Sequence, residues 1–207
     1  MLTIPQLEGR YIRLEPLSVA HTEGLAAASS GDPELYCWSQ VPHGPGEVTR
    51  YIEKALELRD AGVAAPFATI RVADGVVIGS TRFFDLERWP WPASHERHAH
   101  QFPDIGEIGY TWLNASAIRT AANSEAKLLM LTHAFEVWNM LRICLHTDER
   151  NDRSRAAIVR IGGRFEGILR SHRMAADIRP RNSARYSILA SEWSAAKKRL
   201  AQRLYER

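Results

Sequence analysis

The sequence predicts a mixed α/β (α+β) class, in which antiparallel hairpins share one sheet with a central β-α-β crossover. Three observations carry this. Two β-branched and aromatic runs, Ala65–Val72 and Val76–Phe84, flank Ala73-Asp74-Gly75, and Asp-Gly between apolar runs is a hairpin signal. The strand-like runs Ile105–Leu113 and Arg142–Thr147 bracket a long apolar helix, as a parallel crossover requires. Two further strands, Phe165–Arg170 and Ala184–Leu189, complete the sheet ahead of an amphipathic helix, Ser191–Tyr205, capped by Ser191.

The remaining elements follow from pattern and punctuation. Tyr11, Arg13 and Glu15 alternate with Ile12 and Leu14, so Arg10–Leu17 reads as a half-buried strand. The Ala-rich run His21–Ser29 is a short helix, stopped by Ser30-Gly31-Asp32-Pro33. Leu35–Gly46 is irregular and reads as a surface loop. Val48, Tyr51, Ile52, Ala55 and Leu56 then recur at helical spacing from Glu47 to Ala61, ahead of Gly62. The stretch Leu86–Asp104, rich in Trp, Pro and His, is a long loop. Asn123 or Ser124 is the expected cap of a helix reaching about Met140, with Glu125 suiting the dipole in its first turn. A shorter helix, Ser154–Ile161, ends at Gly162-Gly163.

Composition bounds the function. At 207 residues, 45% hydrophobic and 25% charged, the chain is expected to be one domain over 1–207, with 86–104 as a loop insertion. Disordered and fibrous classes are excluded, and no apolar run approaches the ~18–20 residues that span a bilayer. The N-terminus lacks a basic segment followed by an apolar one, and two cysteines make no disulfide framework, so a cytoplasmic location is expected. His95, His98 and His100 have ligand-like spacing, but a solvated loop is the favoured reading and no metal is expected.

The net charge of +3 hides an asymmetry. Residues 1–148 carry 12 basic and 18 acidic side chains; residues 149–207 carry 15 basic and 6 acidic. One end is therefore suited to a polyanion or a phosphorylated cofactor, and the acidic part to a cationic substrate. Aromatic and basic residues do not interleave on a strand in the basic part, so nucleic acid is not expected as a partner, nor is a membrane.

Chemistry concentrates in residues 104–155. The loop Asn114–Ala122 runs into a helix start, where unpaired N–H groups and the dipole favour phosphate; Ala121 and Ala122 permit close approach and Arg119 adds charge. Asp148-Glu149-Arg150-Asn151-Asp152-Arg153-Ser154-Arg155 then follows the next strand. With the opening Leu7–Leu14, the strand Glu107–Leu113, the helix start Asn123–Lys127 and Gly162 eight residues after Ser154, the chain resembles the GCN5-related N-acetyltransferase (GNAT) superfamily, in its RimJ/RimL-like branch.

That resemblance implies a mostly antiparallel sheet with one splayed parallel pair, and acyl-CoA, acetyl-CoA first, lying in the splay. Its pantetheine would pair with Tyr110, Thr111, Trp112 and Leu113, and its pyrophosphate with Ile118, Arg119, Thr120, Ala121, Ala122, Asn123 and Ser124. The family's Arg/Gln-x-x-Gly-x-Gly/Ala pattern departs here at Ile118 and Ala121, leaving Arg119 one place out of register. The reaction implied is direct acyl transfer to a primary amine, on a protein N-terminus or a small molecule. Ser154 is assigned to the departing thiolate, with Asn151 beside it on the pantetheine, and Arg150, Arg153 and Arg155 along the phosphates. The alternatives are that Ser154 only bonds helix backbone and Asn151 only caps it. Glu107 is the first choice for the base, ahead of Asp104 and Glu87, against a solvated strand-end carboxylate. Trp89, Trp91 and the histidines of 86–104 are expected as a substrate lid facing Trp38, or as ordinary loop packing. Relatives are often dimers, so a homodimer is expected. An inactive acyl-CoA-binding protein, and a transferase using succinyl- or another acyl-CoA, are the rival functions.

Overall fold

The computed structural model describes residues 4–206. Within them, eight strands form one sheet: β1 (Leu7–Glu8), β2 (Ile12–Pro16), β3 (Ala65–Arg71), β4 (Val77–Glu87), β5 (Ile105–Leu113), β6 (Arg142–Asp148), β7 (Arg164–Met174) and β8 (Pro180–Leu189). Their order is β1-β2-β3-β4-β5-β6-β8-β7, antiparallel throughout except for the parallel pair β5–β6. The mixed sheet with one crossover is thus present as the sequence predicts. The Asp74-Gly75 turn is present too, with Gly75 at φ 71° and Asp74 Oδ1 accepting the Val76 N–H at 3.1 Å.

Among the described residues five α-helices cover the sheet: α1 (Thr22–Ser29), α2 (Gly44–Asp60), α3 (Ala122–Thr132), α4 (Asp152–Arg160) and α5 (Ala190–Tyr205). Alternation along the strands sorts side chains onto two faces. On one face, Ile12, Phe67, Phe83, Ile108, Ile143 and Leu145 pack with Met130, Leu131 and Trp138 from α3 and its C-terminal continuation, and with Trp193 of α5. The other face carries α1 and α2, whose Leu25, Val48 and Ile52 pack with Ala68 and Trp112. Among the described residues no helix is long and apolar enough to cross a membrane.

Several boundaries differ from expectation, each for a local reason. α2 starts at Gly44 rather than Glu47, because Pro45 is preorganised for a first helical turn. Neither Asn123 nor Ser124 caps α3; Ala121 precedes it without a side-chain cap bond. Glu125 does stand in the first turn of α3, as expected. It is fully buried, and its carboxylate accepts the N–H groups of Arg10, Tyr11 and Ile12 and the Tyr205 hydroxyl. The α-helix ends at Thr132 and continues as one wide π turn, His133–Val137. α5 opens after Leu189, whose N–H is bonded by Glu192 at 3.0 Å, so Ser191 is not the cap. The final two strands are longer than their apolar cores and form one extended hairpin.

Candidate active site

The parallel pairing of β5 and β6 covers only Ile105–Arg142, Gly106–Ile143 and Glu107–Cys144. Beyond it the strands diverge, leaving a cleft of about 690 Å³ between β5, β6 and the N-terminal ends of α3 and α4. The inner edge of β5 past Glu107 therefore has backbone groups without a strand partner on that side. A bulge adds to this: Ser80 pairs with Trp112 and Arg82 with Gly109, so Tyr110 and Thr111 together oppose Thr81. Tyr110 takes φ 50°, and its half-exposed ring faces the cleft.

Most sequence-predicted residues meet here. Tyr110, Thr111, Trp112, Leu113, Ile118, Arg119, Thr120, Asn123, Ser124, Asn151 and Ser154 line the cleft, as does Glu107. Ala121 and Ala122 line a neighbouring 340 Å³ hollow instead, although Ala121 keeps φ −66°, which alanine adopts freely. The left-handed residue of this loop is Arg119, at φ 63°. Asn151 caps α4, its Oδ1 accepting the Ser154 N–H at 3.0 Å, while the same residue lines the cleft. The Ser154 hydroxyl has no hydrogen-bond partner among the described residues.

Other assignments move. Arg155 does not line the cleft: its guanidinium donates to Tyr186 Oη and the Glu149 carbonyl. Arg150 is engaged by Asp148 at 2.7 Å and stacked on Trp38, whereas Arg153 lines the cleft with Arg160. Residues 86–104 contribute nothing to the cleft wall. They fold around Asp104, whose carboxylate accepts the Trp89 N–H, the Trp91 indole and Arg97. Burial pushes the Asp104 carboxyl up, but those three donors outweigh it and hold it low, which suits a structural anchor rather than a base. Leu35, Tyr36, Trp38, Ser39 and Gln40 form part of the wall instead. Among the described residues no group of three or more His, Cys, Asp or Glu could hold a metal ion.

Sequence reasoning missed two groups. His146 Nδ1 is in direct contact with Glu107 Oε1 where the strands part, and His172 stacks edge-on against His146 at 4.9 Å. Burial first, then the neighbouring His146 and Arg173, hold the His172 imidazole below its usual range. The second is Lys127, 5% exposed at the cleft wall, with no acidic partner among the described residues. Its Nζ donates to Thr111 Oγ1 at 2.7 Å and to Thr81 Oγ1 at 3.3 Å. Burial pushes its ammonium down to about 7. A lone lysine in an otherwise apolar helix was the available signal for it.

Chemically, the arrangement offers a helix start and loop fitted to phosphates, free strand edges fitted to amides, and a carboxylate–imidazole pair at the divergence. The acetyltransferase (GNAT) domain family matches residues 12–164. Among solved structures, a GCN5-related N-acetyltransferase from Brucella melitensis is 30% identical, covering 97% of this chain and 85% of its own, with TM-score 0.80. A chain from T. thermophilus described as an acetyltransferase is 32% identical, covering 99% and 100%, with TM-score 0.79. Mycobacterium smegmatis RimJ in complex with CoA-disulfide shares the fold at 20% identity, covering 96% and 93%, with TM-score 0.77. No curated protein matches the chain. With the splayed parallel pair at its centre and this match over most of its length, the chain belongs to the GNAT acetyltransferase family, an enzyme family of acyl-CoA-dependent transferases.

Proposed function

We propose that this enzyme moves an acyl group, acetyl in preference to larger ones, from acyl-CoA to a primary amine within a ternary complex, in the manner of the RimJ/RimL-like branch. One observation carries the reading: Glu107 and His146 meet on the two strands at the point where they diverge. With its Nδ1–H directed to Glu107, His146 presents Nε2 as the lone pair that accepts the amine proton. The neutral amine attacks the thioester carbonyl carbon. The bulge at Tyr110–Thr111 offers backbone donors to the oxyanion. Collapse expels the CoA thiolate, to which the unpartnered Ser154 hydroxyl donates. Arg119, Arg153 and Arg160 with the loop Ile118–Ser124 suit the phosphates of acyl-CoA.

The test is thermal stabilisation by acetyl-CoA and succinyl-CoA, followed by thiol release with a panel of amines. Stabilisation with turnover that is lost in His146→Ala supports the reading. No stabilisation by any acyl-CoA overturns it, and stabilisation without turnover on any amine makes the protein a binder rather than a transferase. Unchanged turnover in Ser154→Ala removes the role given to that hydroxyl.

A further inference from the structure

Three arginines stand around the base pair, on the α1/α2 face of the sheet. Arg82 of β4 is 3% exposed and has no carboxylate partner among the described residues. Its guanidinium lies 4.9 Å from the Tyr51 ring centroid and 4.2 Å from that of Tyr110, and its Nε is buried without a hydrogen bond. Arg173 and Arg181 are directly opposite each other on β7 and β8, and both line the cleft. Like charges facing across an antiparallel pair repel, so this placement costs stability unless something relieves it. Intramolecular partners relieve it only in part. Arg173 reaches Asp85 at 2.9 Å and Arg181 donates to Ser183 at 3.1 Å, but Arg173 Nε and Arg181 Nη2 stay buried and unbonded. Of the nearby carboxylates, Asp148 is paired with Arg150, and Glu107 touches His146 with its Oε1 also buried and unbonded; both lie within electrostatic reach of Arg181, but neither bonds it.

Buried guanidinium N–H groups without acceptors are costly, and such groups in a cleft mark where an anion belongs. The phosphates of acyl-CoA do not account for them, because the loop before α3 and the start of α4 lie on the opposite face. We propose that the amine acceptor carries an anionic group, a carboxylate or a phosphate, which Arg173 and Arg181 hold while its amine faces the Glu107–His146 pair. Arg82 backs Tyr110 and adds its charge from behind the ring. This rests on the transferase reading and narrows it: the acceptor end of the cleft suits an acidic amine, not the cationic one that sequence charge favours.

The experiment compares matched amines at saturating acetyl-CoA: β-alanine against its amide, phosphoethanolamine against ethanolamine, and spermidine as the cationic arm. The carboxylate or phosphate member is expected to lead its neutral partner in kcat/KM by about tenfold or more, chiefly through KM. The leading pair distinguishes carboxylate from phosphate. In Arg181→Gln and Arg173→Gln that ratio falls toward one, and Arg181→Lys restores part of it. Equal or better use of neutral and cationic amines, or a ratio indifferent to both substitutions, overturns the proposal while leaving the transferase reading intact. If none of these amines turns over, calorimetric binding of β-alanine and phosphoethanolamine decides. Uptake lost in Arg181→Gln supports the arginine site, and no uptake overturns it. Failure of acetyl-CoA to stabilise the protein sinks the transferase reading separately.

Discussion

Lys127 Nζ donates to the hydroxyl of Thr111 at 2.7 Å from a position that solvent hardly reaches, with no acidic side chain as partner among the described residues. With its native pKa lowered to about 7, the unfolded chain binds this proton more tightly than the folded one. Stability should therefore rise between pH 7 and about 10, by roughly 1.4 kcal/mol per unit at most. In Lys127→Met that slope flattens and stability at pH 7.5 increases. Urea unfolding at pH 6.5, 8 and 9.5 measures both; an unaltered slope in the variant would show that this amine is not the source.

Glu125 is the tie between the two ends of the chain, accepting three backbone N–H groups from residues 10–12 and the Tyr205 hydroxyl. Glu125→Ala leaves those donors buried without acceptors. A loss of about 3–5 kcal/mol is expected by urea denaturation, with faster hydrogen exchange at Tyr11 and Ile12. A loss under about 1 kcal/mol would mean that water replaces the carboxylate.

The Glu107–His146 pair makes a kinetic prediction. Glu107→Gln and His146→Ala should each lower kcat by about 10²–10⁴, with little change in the KM for acyl-CoA. The two losses should not add, because the residues act as one unit. Full additivity in the double variant would separate their roles.

Asp104 organises the loop that joins β4 to β5 and stands away from the cleft. Because its pKa is held low, its contribution is present above the unfolded value near 3.9 and disappears as pH falls through the native one. Asp104→Ala is expected to open residues 88–103 to limited proteolysis. Thermal stabilisation by acetyl-CoA should stay unchanged, since no residue of this loop lines the cleft. A large drop in that stabilisation would return the loop to the binding site.

Much of the fold was legible because its signals are local. The hairpin at Asp74-Gly75, the alternation of β2, and the helices bounded by Gly31, Gly62 and Gly162 depend on residues a few places apart. Caps were less legible. Asn123, Ser124 and Ser191 have suitable side chains, yet Ala121 and Leu189 precede those helices, because packing of α3 and α5 against the sheet outweighs the small gain from one cap bond. The cleft residues on β5 and on the loop before α3 were readable by resemblance, whereas His146 and Lys127 were not.

By itself, then, the sequence determined the order of elements and the crossover between β5 and β6, and it pointed to the stretch 104–155, much of which lines the cleft. It could not determine which charges face one another. The acidic first part and the basic remainder look like two separate surfaces along the chain. In space, the long β7–β8 hairpin carries Arg173 and Arg181 back to the side where Glu107 lies. Periodicity is a property of neighbouring residues, but charge at a site sums over everything that folding brings within reach. Only the tertiary structure decided that Arg173 and Arg181 line this cleft.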